Sequence, residues 1–248
     1  MCRFKMVIAY DGSAFHGYAK QPNLPSVQGA LECALQGLGI TSPLLCAGRT
    51  DKGVHALAQV VSFCASLSLQ TLQRHLPPKI TPHIACKHIE SVPLDFHPRF
   101  YATMRTYCYV FTKALHNPFL SRYIACCDYG DLVRLQEALD CFVGMHDFKF
   151  FSKQSGDFRN TQRQIYRAKC RTRTLWGVPC VLLYISAPSF LRAQVRLIVG
   201  AALAYSLGHL SLAQLQAQIH AQYRYHNIPA PPQGLYLARV DYPRHGSS

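Results

Sequence analysis

Acidic side chains are scarce in this sequence: 12 Asp and Glu stand against 26 Lys and Arg, for a formal net charge of +14. That imbalance favours a polyanionic partner, because each phosphate neutralised by the protein releases condensed counterions. Charge alone admits both nucleic acid and an anionic membrane surface. Long apolar runs are also missing. The longest, Leu197 to Leu207, falls short of the roughly 20 residues that span a bilayer, so no membrane partner is expected. Met1-Cys2-Arg3-Phe4-Lys5 leads into an alternating pattern and not into an apolar signal core, so the expected location is cytoplasmic. The eleven cysteines form no Cys-x-x-Cys pair, and their number is odd. Cys64, Cys108 and Cys180 lie inside apolar, strand-like runs, so the cysteines read as small buried hydrophobes of a reducing compartment, not as disulfides or metal ligands. Twelve histidines include no His-x-x-x-His pair, and without Cys-x-x-Cys no zinc-deaminase signature is complete. P-loop and Rossmann fingerprints are absent too, which argues against nucleotide hydrolysis and hydride transfer. No metal and no small-molecule cofactor is expected.

What is present is a globule. The chain has 248 residues, 49% hydrophobic and 15% charged, enough for a real core in one large domain or two ordinary ones. Phe4, Met6, Ile8 and Tyr10 alternate with more polar positions, the period of a half-buried strand. Ser26 is placed as the N-cap of a helix whose apolar face is Val27, Ala30, Leu31, Ala34, Leu35 and Leu38. Strands are expected at 59–63 and 84–89, with a short helix at 69–76 between them. A second series begins with a strand at 103–111 and a helix from Leu132 to Val143. Strands at 163–173 and 178–186 follow, then helices at 190–207 and 212–221 and a last strand at 235–242. The expected class is α+β, in two halves, 1–100 and 101–248. Arg163, Arg167, Lys169, Arg171 and Arg173 share one parity, so a continuous strand would put them on one face, either as a phosphate-tracking stripe or as the solvated back of a sheet.

One stretch stands apart: Ala47-Gly48-Arg49-Thr50-Asp51-Lys52-Gly53-Val54-His55-Ala56. Four charged or hydroxylated residues stand in a row between glycines that permit unusual dihedrals and close approach. A carboxylate beside a guanidinium on such a loop could be a nucleophile held ionised by its neighbour. Residue types alone favour the plainer alternative, a surface turn with Asp51 capping it and Arg49 solvated.

Gly48 to Ala56 resembles the signature of the tRNA pseudouridine synthase A (TruA) family, and further matches run from near Tyr10 to Tyr242. Ser189 to Gly200 resembles the family's Phe-rich segment ending Val-Arg-x-Ile-Val-Gly, and Thr161-Gln162-Arg163 its Thr-x-Arg element. Tyr18 and Ala19 depart from it, standing where the family has Trp and Gln after Tyr-Asp-Gly. The resemblance implies two related, ferredoxin- or RRM-like halves joined into a continuous, mainly antiparallel sheet with a central basic cleft. It implies isomerisation of uridine to pseudouridine at positions 38 to 40 of the tRNA anticodon stem-loop, by a homodimer, with no cofactor. By the same match Asp51 is the catalytic carboxylate and Arg49 holds the flipped nucleotide outside the stack. Tyr107 is the platform under the uracil, Arg196 the ion-pair partner of Asp51, and Leu235 the apolar wall of the pocket.

Overall fold

The computed structural model describes residues 1–153 and 160–243; positions 154–159 and 244–248 of the second expected half lie outside them. The chain forms two compact units, one of Met1–Thr103 with the described residues from Tyr236 onward, the other of Met104–Leu235. Both combine helices with mainly antiparallel strands, the α+β class expected.

In the first unit the elements are β1 (Cys2–Tyr10), α1 (Val27–Gln36), β2 (Leu45–Cys46), β3 (His55–Ala65), α2 (Leu69–His75), α3 (Pro77–Ile80) and β4 (Ile84–Val92). β1 lies between β3 and β4, antiparallel to both, with Phe4 opposite Phe63 and Met6 opposite Ile89. Its alternating residues Phe4, Met6, Ile8 and Tyr10 are buried, because successive side chains of a strand point to opposite faces. α1 begins where Ser26 accepts the Gly29 N–H at 3.1 Å, and it buries Val27, Leu31, Ala34 and Leu35.

The second unit contains β5 (Met104–Thr112), β6 (Ala125–Cys126), α4 (Leu132–Cys141), β7 (Gly144–Asp147), β8 (Gln162–Ile165), β9 (Arg167–Leu175), β10 (Val178–Ala187), α5 (Gln194–Ser206) and α6 (Leu212–Ile219). β10 is central, antiparallel to β5 and β9, while β7 and β8 form a separate pair. The chain then returns to the first unit as β11 (Leu235–Asp241), which runs parallel to β3 at Tyr236–His55 and Leu237–Ala56.

Two expectations need correction. The single strand at 163–173 is two, because β8 pairs with β7 and β9 with β10, with Tyr166 between them donating its N–H to Ser186 O at 2.8 Å. The helix placed from 190 starts at Gln194, because Ala193 has φ 59°, a left-handed backbone that a right-handed helix cannot contain. The cysteines are all free, and Cys108 and Cys180 are buried as expected, but Cys64 is only half-buried and Cys2, Cys33 and Cys126 are exposed.

The outer edge of β9 is not left bare. The unpaired N–H and C=O groups of an edge strand invite pairing with another chain, and here the Gln136 side chain of α4 answers two of them. Its Oε1 accepts the Cys170 N–H at 2.8 Å and its Nε2 donates to Ala168 O at 3.3 Å. Gln136→Ala should therefore lower unfolding free energy by about 1–3 kcal/mol and speed amide exchange at Cys170. Urea denaturation and hydrogen exchange measure both; an unchanged midpoint with unchanged Cys170 protection would contradict it.

Candidate active site

The signature stretch becomes a loop between β2 and β3, fastened mostly through its backbone. Ala47 N–H donates to Val60 O at 2.8 Å. Gln59, fully buried, donates from Nε2 to Gly48 O at 2.6 Å. Thr50 is turned inward: its carbonyl accepts the Tyr18 N–H at 3.0 Å and its hydroxyl bonds the Tyr10 hydroxyl at 2.8 Å. Val54 N–H returns to Asp51 O at 3.2 Å, closing a turn over Lys52 and Gly53, where Gly53 adopts φ 76°. With Thr50 buried, its neighbours are thrown outward. Asp51 is half-buried, while Arg49 and Lys52 are exposed. A solvated surface turn would describe Arg49 and Lys52 but not the tethered Thr50.

The segment after β1 forms the floor of this loop. Gly12 N–H donates to His55 Nδ1 at 3.0 Å. A Cβ on Gly12 would lie 2.0 Å from Val54 O, and one on Gly17 (φ 103°) 3.0 Å from Thr50 O. His55 is buried and stacks on Tyr236 with centroids 4.7 Å apart. Asp11 Oδ1 lies 3.4 Å from the same Nδ1. Tyr18 is also buried, with its hydroxyl directed toward Cys46 but outside hydrogen-bond geometry. Burial first, and the neighbouring Cys46 second, push the phenol well above the usual tyrosine range. It is a neutral support beneath the loop.

In the second unit, Tyr107 on β5 is largely buried and meets the Phe190 ring edge-to-face, centroids 5.2 Å apart. Arg196, in the first turn of α5, donates from Nε to Ala230 O at 2.7 Å, and its carbonyl accepts the Ala230 N–H at 2.9 Å. This two-way clip fixes the direction of the side chain. Arg196 lies close enough to Tyr109 for its charge to favour the phenolate, although burial dominates and raises that phenol. Tyr109 is two residues from Tyr107 and on the same face of β5. Leu235 is buried at the start of β11, after Gly234, whose missing Cβ would sit 2.7 Å from Val110 O.

Thus Arg49 and Asp51 share one loop of the first unit, whereas Tyr107, Arg196 and Leu235 belong to the second. The basic stripe resolves through register. Tyr107 pairs across to Ile185, and Ile185 to Ala168, so these three share a face. Thr106, Ser186 and Arg167 form the next row on the opposite face. Exposed Arg167, Lys169, Arg171 and Arg173 therefore lie on the back of the sheet with respect to Tyr107. Arg163, on β8, is not part of that row.

Sequence reasoning missed Gly12, Gly17 and Gln59 as parts of the site. Gln59 left a signal, a polar residue opening an apolar run. Desolvation pushes the buried Cys108 thiol up to about 12 and the half-buried Cys170 thiol up to about 11, so neither is a ready thiolate. Among the described residues no helix is long and apolar enough to cross a membrane.

The profile of a family described as tRNA pseudouridine synthase matches residues 6–101 and 138–243. A Helicobacter pylori protein named tRNA pseudouridine synthase A is 48% identical over 241 residues, covering 96% of this chain and 99% of its own. A Campylobacter jejuni protein of the same name is 41% identical over 245 residues, covering 98% and 100%.

The contact between Gly12 and Val54 generates a paired prediction. Gly12→Ala forces a methyl into the Val54 carbonyl and should cost about 1–3 kcal/mol. Gly37, at a right-handed φ of −65° with nothing nearer than 3.5 Å to its would-be Cβ, should gain about 0.4–1 kcal/mol as Gly37→Ala. Urea unfolding of both variants checks the signs; equal midpoints would refute the close-approach account.

Proposed function

The chain belongs to the tRNA pseudouridine synthase family, and from that premise we propose that it isomerises uridine to pseudouridine in the anticodon stem-loop of tRNA, at positions 38 to 40. The observation that carries this reading is the Gly48–Ala56 loop, whose inward-turned Thr50 leaves Asp51 at the boundary of a tethered turn. In the proposed reaction the target nucleotide leaves the helical stack, because chemistry on a base cannot proceed inside it. Arg49, exposed on the same loop, enters the stack and holds the nucleotide out.

Asp51 then supplies the carboxylate that drives cleavage of the N1–C1′ bond, attacking the sugar or assisting departure of the uracil. The detached uracil turns, and a new bond forms between C5 and C1′. C5 gives up its proton and N1 gains one, so the reaction is an isomerisation and consumes no oxidant or reductant. Tyr107 is the flat platform that keeps the base in plane while it turns. Arg196 supplies the counter-charge that keeps the Asp51 carboxylate ionised. Leu235 is an apolar wall that excludes the water which would otherwise release free uracil. The proposal includes a homodimer whose two copies contact one tRNA, working in the cytoplasm.

The test uses tRNA transcripts tritiated at uracil C5, incubated with the wild-type protein, with tritium release counted and the digested nucleosides separated. Release of tritium matched by pseudouridine at positions 38 to 40 is the expected result. Free uracil with an abasic strand would convert the reading to a glycosylase, and binding without release would leave an RNA-binding protein. In the same assay Arg196→Ala should lower kcat by about 100-fold or more while leaving tRNA affinity within about threefold, since its charge acts on the reacting carboxylate. Equal losses in kcat/KM and affinity would assign Arg196 to binding instead.

A further inference from the structure

A recess of about 300 Å³ in the second unit is lined by Phe150, Ser152, Lys153, Leu197, Arg224 and Asn227. None of these residues has a part in the reaction above, yet Leu197 immediately follows Arg196. We infer that this recess is a nucleotide subsite that takes a nucleotide of the RNA other than the one being isomerised. Its base would stack on the Phe150–Arg224 pair and its phosphate would meet Arg224 and Lys153. The inference rests on the tRNA reading and adds a second contact point to it.

The floor is built by a turn of fixed shape. Phe148 and Phe151 are fully buried against Phe142, at 6.5 Å and 5.1 Å between centroids, and this turns the intervening Phe150 outward to a half-exposed position. Asp147 caps the turn by accepting the Lys149 N–H at 3.1 Å. Two cations flank the exposed ring: Lys149 Nζ lies 5.0 Å from its centroid and the Arg224 guanidinium carbon 5.2 Å. Aromatic rings and guanidinium planes are the two surfaces on which unstacked bases are held.

The opposite wall is equally determined. Gln218, 1% exposed, accepts the N–H groups of Tyr225 and His226 at 2.9 Å and 2.8 Å and donates to His226 O at 2.8 Å. One neutral side chain thus fixes the segment that presents Arg224 and Asn227. Gly200 lets that segment lie on α5, since a Cβ there would stand 2.2 Å from Ile228 O. The segment ends at Ala230, the residue clipped both ways to Arg196.

The size of the recess favours one nucleotide over a duplex groove, and its composition of ring, guanidinium, ammonium and amide favours a nucleotide over an apolar ligand. Exposed Tyr223 and Tyr225, packed edge-on at 4.8 Å, extend the aromatic surface beside it.

Phe150→Leu, Phe150→Tyr and Arg224→Gln are compared with wild type for tRNA affinity across a salt series and for kcat and KM of pseudouridine formation. Phe150→Leu removes the ring but keeps apolar volume, and should raise Kd and KM about tenfold with kcat within about twofold. Phe150→Tyr should stay within about twofold of wild type. Arg224→Gln should weaken binding and reduce the slope of log K against log salt by about one. Wild-type turnover with all three variants binding as tightly as wild type would overturn the subsite and leave the tRNA reading intact. Equal affinity losses in Phe150→Tyr and Phe150→Leu, tracking equal losses in urea midpoint, would make the ring structural and also overturn it. Absence of tRNA binding by wild type would remove both.

Discussion

The structure depends on two backbones passing at contact distance. Gly12 and Gly17 lie against Val54 and Thr50 so closely that a single added methyl at Gly12 would stand 2.0 Å from a carbonyl oxygen, far inside van der Waals contact distance. Hydrogen bonds from Gly12 N–H to His55 and from Tyr18 N–H to Thr50 O hold that approach. The loop carrying Asp51 is therefore not a free connection between strands. Its inward residue is anchored by the segment after β1, and its outward residues follow from that anchoring. Preorganisation of this kind matters to catalysis because a displaced group loses rate steeply even when it remains nearby.

The second unit solves the corresponding problem by similar means. Gly200 admits the Ile228 carbonyl against α5, and Gln218 ties down the turn at Tyr225 and His226. In the first unit Gln59 ties down Gly48. Gln136 does the same for the edge of β9. The recurring device is a glutamine beside close-packed backbone, where an Asp or Glu could also have accepted hydrogen bonds. An amide gives both a donor and an acceptor without adding negative charge. In a chain of net charge +14, the loop from Ala47 to Ala56 carries no carboxylate besides Asp51.

Much of this was legible in the residues, and the reasons are local. β1 shows in its alternation, α1 in the Ser26 cap and its apolar face, and the Asp51 loop in its own nine residues. The start of α5 was misplaced because nothing in the identity of Ala193 announces a left-handed backbone; that conformation is imposed by the chain around it. The break at Tyr166 was hidden for the same reason, since parity is continuous across it and only the change of partner strand from β7 to β10 interrupts the ladder. The stripe of Arg and Lys could be counted from sequence, but its side relative to Tyr107 needed the register of three strands. Gly12 and Gln59 acquire meaning only from contacts beyond their own elements, Gly12 with His55 43 residues away and Gln59 with Gly48 11 residues away.

The central claim is that Asp51 does the chemistry and that the rest of the loop exists to hold it. The most direct measurement is single-turnover pseudouridine formation by Asp51→Asn beside its affinity for the same tRNA. Asn keeps the size of the side chain and removes only the carboxylate charge and nucleophilicity. The account predicts affinity within about threefold of wild type and a rate reduced by a factor on the order of 10⁴ or more. Pseudouridine formed by Asp51→Asn at a rate near wild type would contradict it.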